Sequence, residues 1–443
     1  MKYRSYDKYT HSGIMWINLV PEHWGIQKLK FIASCNDDVL GEEVDPDLSI
    51  HYVDIGSVSE GNIVVTEEIS FSNAPSRARR LVRHGDIIIS TVRTYLRAIA
   101  EINNPPNNMV VSTGFAVIRP QEIDRKYLAY ALKSHSFVEW VVSESKGISY
   151  PAINASELMR LSVALPSREE QTAVATFLNH QTTQIDQLIE KKTRFIELIK
   201  EKRAALVTEA VTGKFDARTG KPYAEYKDSG VEWLGKVPAH WEVKPLKRGY
   251  SVKLGKMLQP VQQAPQDVLK PYLRASNIQP DGIYVSGVKE MWFSPLELGV
   301  LRLKYGDLLV SEGGDVGRSA IWRRELEEAY YQNSINRVRG LEGNNNYYLN
   351  YLLSCIKESG AIDVICNRLS IAHLTTEKLN EIQILFPTAE EQSAIAAFLD
   401  EKTTQVDQLI EKTQQSIDLL KEKRAALITA AVTGKIDVRN ERI

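Results

Sequence analysis

The sequence predicts an α+β protein: two mixed α/β domains separated by two long antiparallel coiled-coil helices, the whole pseudo-two-fold symmetric. Three observations carry that expectation. The chain repeats itself near half-length, the repeated part holds a heptad stripe, and the less similar parts hold short β-type runs between turn signals. With 443 residues, 43% of them hydrophobic, the chain is long enough for two or more cores.

The repeat comes first, because it sets the architecture. Pro166, Glu169-Glu170-Gln171, Phe177-Leu178, Asp186-Gln187-Leu188-Ile189-Glu190-Lys191, Lys200-Glu201-Lys202-Arg203-Ala204-Ala205-Leu206 and Thr212-Gly213-Lys214 recur almost verbatim between Pro387 and Lys435, an offset of 221 residues (166 to 387). A second pair opens each half at an offset of 217 (12 to 229): Ser12-Gly13, Trp16, Val20-Pro21, His23-Trp24 against Ser229-Gly230, Trp233, Val237-Pro238, His240-Trp241. Between these anchors identity is weak but the register survives, as in Gly85-Asp86 against Gly306-Asp307. The boundaries that follow are 1–165 for a first domain, 166–215 for a first spacer helix, 216–386 for a linker and second domain, and 387–443 for a second helix and tail.

Each constant stretch reads as helix. Ile185, Ile189, Ile196, Ile199, Leu206 and Ala210 fall on a 4-3 alternation with Lys192 and Arg203 in its gaps; Val406, Ile410, Ile417, Leu420, Leu427 and Ala431 repeat it around Thr413 and Arg424. That is a heptad seam, which needs a partner, and the nearest is the other copy. Gly213 and Gly434 are C-cap candidates, and Pro166 and Pro387 with the following acidic pairs mark the starts. Each helix is continuous or broken near His180. In the remaining stretches, β-runs are expected at 50–55, 86–91, 110–117 and 308–311, and helices at 127–134 and 347–358.

Composition restricts the function classes. Lys+Arg 55 against Asp+Glu 56 gives a net charge of -1, so affinity for nucleic acid must come from local clustering. Cys35, Cys355 and Cys366 make no metal or redox spacing, which fits a reducing cytoplasm. No apolar run approaches the ~18 residues that span a bilayer, so neither secretion nor membrane insertion is expected.

Two copies with antiparallel helices would present their domains with an approximate two-fold axis, the symmetry of duplex DNA. About 30 residues of helix beyond His180 span on the order of 45 Å at ~1.5 Å per residue, comparable with the ~34–36 Å between half-sites one turn apart. The helices would act as a ruler, and diverged domains would read two different short sequences.

The Val-Pro-x-His-Trp openings, the Gly-Asp strand starts, the Pro166-to-Gln171 and Pro387-to-Gln392 entries and the Thr-Gly-Lys exits occur in the order seen in type I restriction-modification specificity subunits. The sequence resembles that family over essentially its whole length. The resemblance implies two target-recognition domains, docking of two methylation subunits on the helical region, and recruitment of ATP-dependent restriction subunits. It places S-adenosylmethionine, ATP and Mg in the partner subunits, with no cofactor in this chain.

Phosphate contacts need Lys, Arg or hydroxyl donors, and base readout needs side chains such as Arg, Asn or Gln that reach the groove. The first-domain candidates are Arg77, Arg79, Arg80 and Arg83, then Arg93 and Arg97 after a strand. Those of the second are Lys253, Lys256, Arg274, Lys304 and Arg318. Two loops at matching positions add Lys146, Ser149 and Tyr150, and Arg368, Ser370 and His373. Against each stands the plainer reading of a solvated charge.

No catalytic site is expected. Asn104-Pro105-Pro106-Asn107 lacks the aromatic residue that would stack on a flipped base, and Gly313-Gly314-Asp315-Val316-Gly317-Arg318 lacks the Lys-Ser/Thr of a phosphate loop. The histidines show no metal spacing, and His23 and His240, beside tryptophans, read as structural. Two competing readings are a coiled-coil adaptor without sequence-specific DNA binding and an enzyme with a degenerate site.

Overall fold

The computed structural model describes residues 3–14, 16–59, 61–147, 149–231, 234–366 and 373–441. It divides into two compact units, one of Met1–Thr193 with Gln414–Ile443, the other of Arg194–Thr413.

In the first unit an antiparallel sheet orders its strands Ile99–Glu101, Ile87–Ser90, Phe115–Pro120, Ala33–Cys35. The second unit repeats that order with Ser319–Ile321, Leu308–Ser311, Ile335–Gly340, Tyr250–Leu254. Ile87–Ser90 and Leu308–Ser311 are buried at every position because both faces of the sheet are covered. Ile87 and Ile89 point into the core shared with the helix Arg125–Lys133, and Ile88 into the core under a second sheet. Leu308 and Val310 divide from Leu309 in the same way. The Gly-Asp motifs explain themselves here. Buried Asp86 accepts the backbone N–H of Arg83 at 2.7 Å and pairs with Arg119 at 2.8 Å; Asp307 does the same with Lys304 (2.8 Å) and Arg339 (2.7 Å).

The second sheets differ. The first unit orders Glu67–Ser70, Ser49–Val53, Met109–Ser112, Ala78–Leu81, with the central pair parallel. The second unit has only Lys289–Phe293, Val268–Leu273 and Tyr330–Tyr331 in that sheet, and after the first of them runs into the helix Pro295–Leu301, capped by Ser294. The single run expected at 110–117 is two strands, Met109–Ser112 and Phe115–Pro120. The chain turns at Thr113-Gly114, where a Cβ on Gly114 would lie 3.0 Å from Ile55.

The long helices, Arg168–Val211 and Ala389–Val432, each run 44 residues without interruption, so the break entertained near His180 does not occur. Ser167 and Thr388 cap the starts. Gln171 and Gln392 tie those starts to the short helices by accepting the N–H of Asp124 and Asn345, each at 2.8 Å. Both ends are Schellman motifs: Gly213 and Gly434 are left-handed (φ 73° and 70°), and Lys214 and Lys435 donate to Glu209 and Ala430 at 2.8 Å.

Within each unit the two helices run counter to one another. In the first, Glu170 meets Arg439 at 3.7 Å and Asp186 meets Arg424 at 2.8 Å. In the second, Glu391 meets Arg218 at 3.4 Å and Asp407 meets Arg203 at 3.1 Å. The arginines that interrupt the heptad seam are thus paired with aspartates on the facing helix. Of the seam positions, Ile185, Ile196, Ala210, Ile417, Leu427 and Ala431 are buried, and Ile189, Ile199, Leu206, Val406, Ile410 and Leu420 are partly buried.

Each helix exit docks on a Val-Pro-x-His-Trp motif, in crossed order. A Cβ on Gly434 would stand 2.3 Å from Pro21, and one on Gly213 2.5 Å from Pro238, so only glycine fits this approach. His23 contacts buried Glu170 at 3.1 Å, and His240 contacts Glu391 at 2.9 Å.

Candidate nucleic-acid interface

In the first unit the strand Ile87–Ser90 leads into loop 91–98. Ser90 donates its N–H to Ala98 at 2.9 Å, Thr91 to Gly114 at 2.8 Å, and Ile153 to Thr91 at 2.9 Å. The loop is therefore tied to the segment that returns to the first long helix. Thr94 reaches Ser145 at 2.9 Å, and Arg93 lies 4.7 Å over the ring of Tyr150. Arg97 approaches His135 at 3.3 Å and pairs with Glu139. Lys146 pairs with Glu157 at 3.2 Å, and Ser149 is exposed. Arg93, Arg97, Lys146, Ser149 and Tyr150 thus gather around one loop, whose tip holds the exposed Tyr95 and Leu96.

The four arginines 77 to 83 do not make one patch. Arg77 is exposed and donates to Tyr52 at 3.0 Å, and its carbonyl accepts the N–H of Thr113 beside the loop base. Arg79 stacks 4.7 Å over Phe71. Strand alternation turns Arg80 the other way; it is half-buried, and burial pushes its pKa down. Arg83, past the strand, pairs with Asp38 at 2.9 Å.

The second unit builds the same base from different residues. Ser311 donates to Arg318 at 2.8 Å, Glu312 to Ser334 at 2.9 Å, and Leu374 to Glu312 at 2.9 Å. Position for position, Ser90, Thr91 and Ile153 correspond to Ser311, Glu312 and Leu374. The loop is held by Arg318, which donates to Gln279 at 3.2 Å and approaches Asp315 at 3.4 Å, while Lys357 also pairs with Asp315. Beside it Arg274, Ser276, Gln279, Asp281 and Tyr284 line a recess of about 460 Å³. Among the described residues the buried Arg274 Nε has no hydrogen-bond partner, and exposed His373 lies within 3.5 Å of where a Gly313 Cβ would stand.

The remaining lysines lie elsewhere. Lys256, largely buried, pairs with Glu297 beside a recess of about 570 Å³ that Lys253 also lines. Lys304 is exposed before the strand Leu308–Ser311, whereas the loop follows that strand. Arg368 and Ser370 lie outside the described residues. Sequence reasoning missed Tyr95, Leu96, Gln279 and Tyr284. The first two carried a signal, an apolar pair between arginines in a turn; the others carried none.

Among the described residues no cluster of three or more His, Cys, Asp or Glu could hold a metal, and no helix is long and apolar enough to cross a membrane. The family model for the type I restriction modification DNA specificity domain matches residues 50–198 and again 298–419. The two matches cover most of both units.

The chain belongs to that family. The putative type I restriction enzyme MjaX specificity subunit of Methanocaldococcus jannaschii is 23% identical over 447 residues, covering 96% of each chain. The MjaVIII specificity subunit of the same organism is 24% identical over 439 residues, covering 95% of each. Among solved structures, a chain from a study of type I R-M complex assembly and conformational transition superposes with a TM-score of 0.69 at 21% identity, covering 93% of this chain and 98% of that one. The HsdS subunit from Thermoanaerobacter tengcongensis gives 0.56 at 21%, covering 94% and 98%. As a type I specificity protein the chain is the DNA-recognition subunit and not the catalytic one; an adaptor that does not recognise DNA does not fit the family.

Proposed function

We propose that this specificity subunit reads an asymmetric bipartite duplex site, one half with each unit, and that it docks two methylation subunits and recruits ATP-dependent restriction subunits. S-adenosylmethionine, ATP and Mg are used by those partners in the cytoplasm. The observation that carries this reading is the pair of loops on matching strand frames: 91–98 offers Arg93, Tyr95, Leu96 and Arg97, whereas 312–318 offers three glycines, Asp315 and Arg318. One frame with two sets of side chains reads two sequences. In the first half the contacts are assigned to Arg93, Arg97, Lys146, Ser149 and Tyr150, with Arg77 and Arg79 at the flank. In the second they are assigned to Arg274, Arg318 and His373. The frame fixes position on the backbone, and the side chains at the loop choose bases.

Mapping methylated adenines across the host genome, with and without this gene, tests the proposal. One bipartite motif with two dissimilar halves should vanish. An unchanged methylation map, or loss of a palindromic motif, would overturn it.

A further inference from the structure

Two residues of the first loop sit in a backbone conformation that their side chains disfavour. Arg93 has φ 51° and Arg97 φ 54°. The corresponding positions of the second loop, counted from Ser90 and Ser311 and from the strands that follow, are Gly314 and Gly317, with φ 75° and 76°. Both loops therefore ask for left-handed backbone at two places, separated by three residues in the first loop and by two in the second. The second unit meets the demand with glycine, which is free to do so. The first places arginine there, at a cost glycine would avoid. Other left-handed residues of the described chain are glycines, asparagines, and Arg324 and Glu342 elsewhere in the second unit.

Between the arginines the tip exposes Tyr95 and Leu96, at 51% and 50%. Arg93 stacks on Tyr150, itself 63% exposed. Glu139 and His135 hold the Arg97 side chain, yet the tip sets between two exposed guanidinium groups a pair of large apolar side chains that join no buried cluster among the described residues. It suits a polyanion with an apolar feature in its groove.

Resting on the DNA-reading role proposed above, we infer that loop 91–98 enters the major groove of the first half-site. Arg93 and Arg97 engage phosphates or guanine edges, and Tyr95 and Leu96 pack on the C5-methyl group of a thymine. That methyl is the only apolar group a base pair presents in the major groove.

The test uses the full-length chain and duplex libraries. Wild type should select a bipartite motif; no selection at all would sink the DNA-reading role itself, separately from this inference. With the motif in hand, Tyr95→Ala combined with Leu96→Ala should weaken binding about tenfold and relax one half-site, at an unchanged melting temperature. Replacing the thymines of that half-site by deoxyuridine should weaken wild type about threefold and leave the double variant unaffected. Arg93→Gly should lower affinity while keeping or raising the melting temperature, because glycine relieves the backbone; Arg97→Gly should lower affinity too, with the relieved backbone offset by the lost pair with Glu139. The inference is overturned if the double variant retains wild-type affinity and motif, if deoxyuridine does not affect wild type, if it affects both proteins equally, or if the glycine variants keep affinity.

Discussion

The helix junctions and the strand-end loops have had opposite histories in the same chain. At the junctions the two units agree residue for residue. His23, Glu170, Arg439 and Asp437 in one are His240, Glu391, Arg218 and Asp216 in the other, and Tyr6 stands edge-on to Trp24 at 5.6 Å as Tyr223 does to Trp241 at 5.7 Å. At the loops the backbone frame is kept and the side chains are not. A contact that holds a helix against its domain tolerates one solution; a surface that meets different base sequences requires two.

The sharpest way to break this contrast is to cut a junction and ask whether recognition changes. Glu391 is 2% exposed in its side chain and accepts from His240, Arg218 and the Thr388 N–H. Glu391→Ala strands those donors and should cost about 2–3 kcal/mol, read by urea titration, while the selected DNA motif stays the same. A changed motif would mean that junction and loop are not separable. Burial alone would raise the Glu391 carboxyl, but the donors of His240 and Thr388 outweigh it and hold it below the ordinary value of 4.5. Its contribution is thus present above that value and lost as pH falls through the folded one. Glu391→Gln should flatten this acid limb.

Next in size are the glycines of the exits. Gly434→Ala puts a Cβ 2.3 Å from Pro21, and Gly213→Ala one 2.5 Å from Pro238. With the left-handed backbone added, each should cost about 2 kcal/mol, measured by thermal melting. A penalty at one junction only would show that the copies are less alike than their contacts.

Much of this was legible in the sequence because a repeat prints its own architecture. The 221-residue offset, the seam and the glycine caps were all readable, and the capping and docking motifs were visible as motifs. Their partners were not, since Gly434 meets Pro21 across nearly the whole chain and no local pattern encodes such a contact. The strand Ala78–Leu81 escaped because Ala-Arg-Arg-Leu has no apolar alternation, so the inward turn of Arg80 escaped with it. The split of 110–117 was signalled by Ser112-Thr113-Gly114 and escaped because the apolar residues on either side read as one run.

The smallest effect compares the two pairings between the long helices. Arg424 and Asp186 make a bidentate pair, with hydrogen bonds of 2.8 and 3.1 Å and the arginine 26% exposed. Arg203 and Asp407 approach at 3.1 and 3.3 Å, with the arginine 36% exposed. Two guanidinium bonds in a less open site lose less to solvent than a looser pair does. Double-mutant cycles with alanine should therefore give coupling of about 0.5–1 kcal/mol for the first pair and about 0.3 kcal/mol for the second, both reduced by high salt. Equal couplings would mean that exposure does not distinguish the two. A larger coupling in the second would place the better-ordered helix pairing in the unit where the facing residues are further apart, which the geometry argues against.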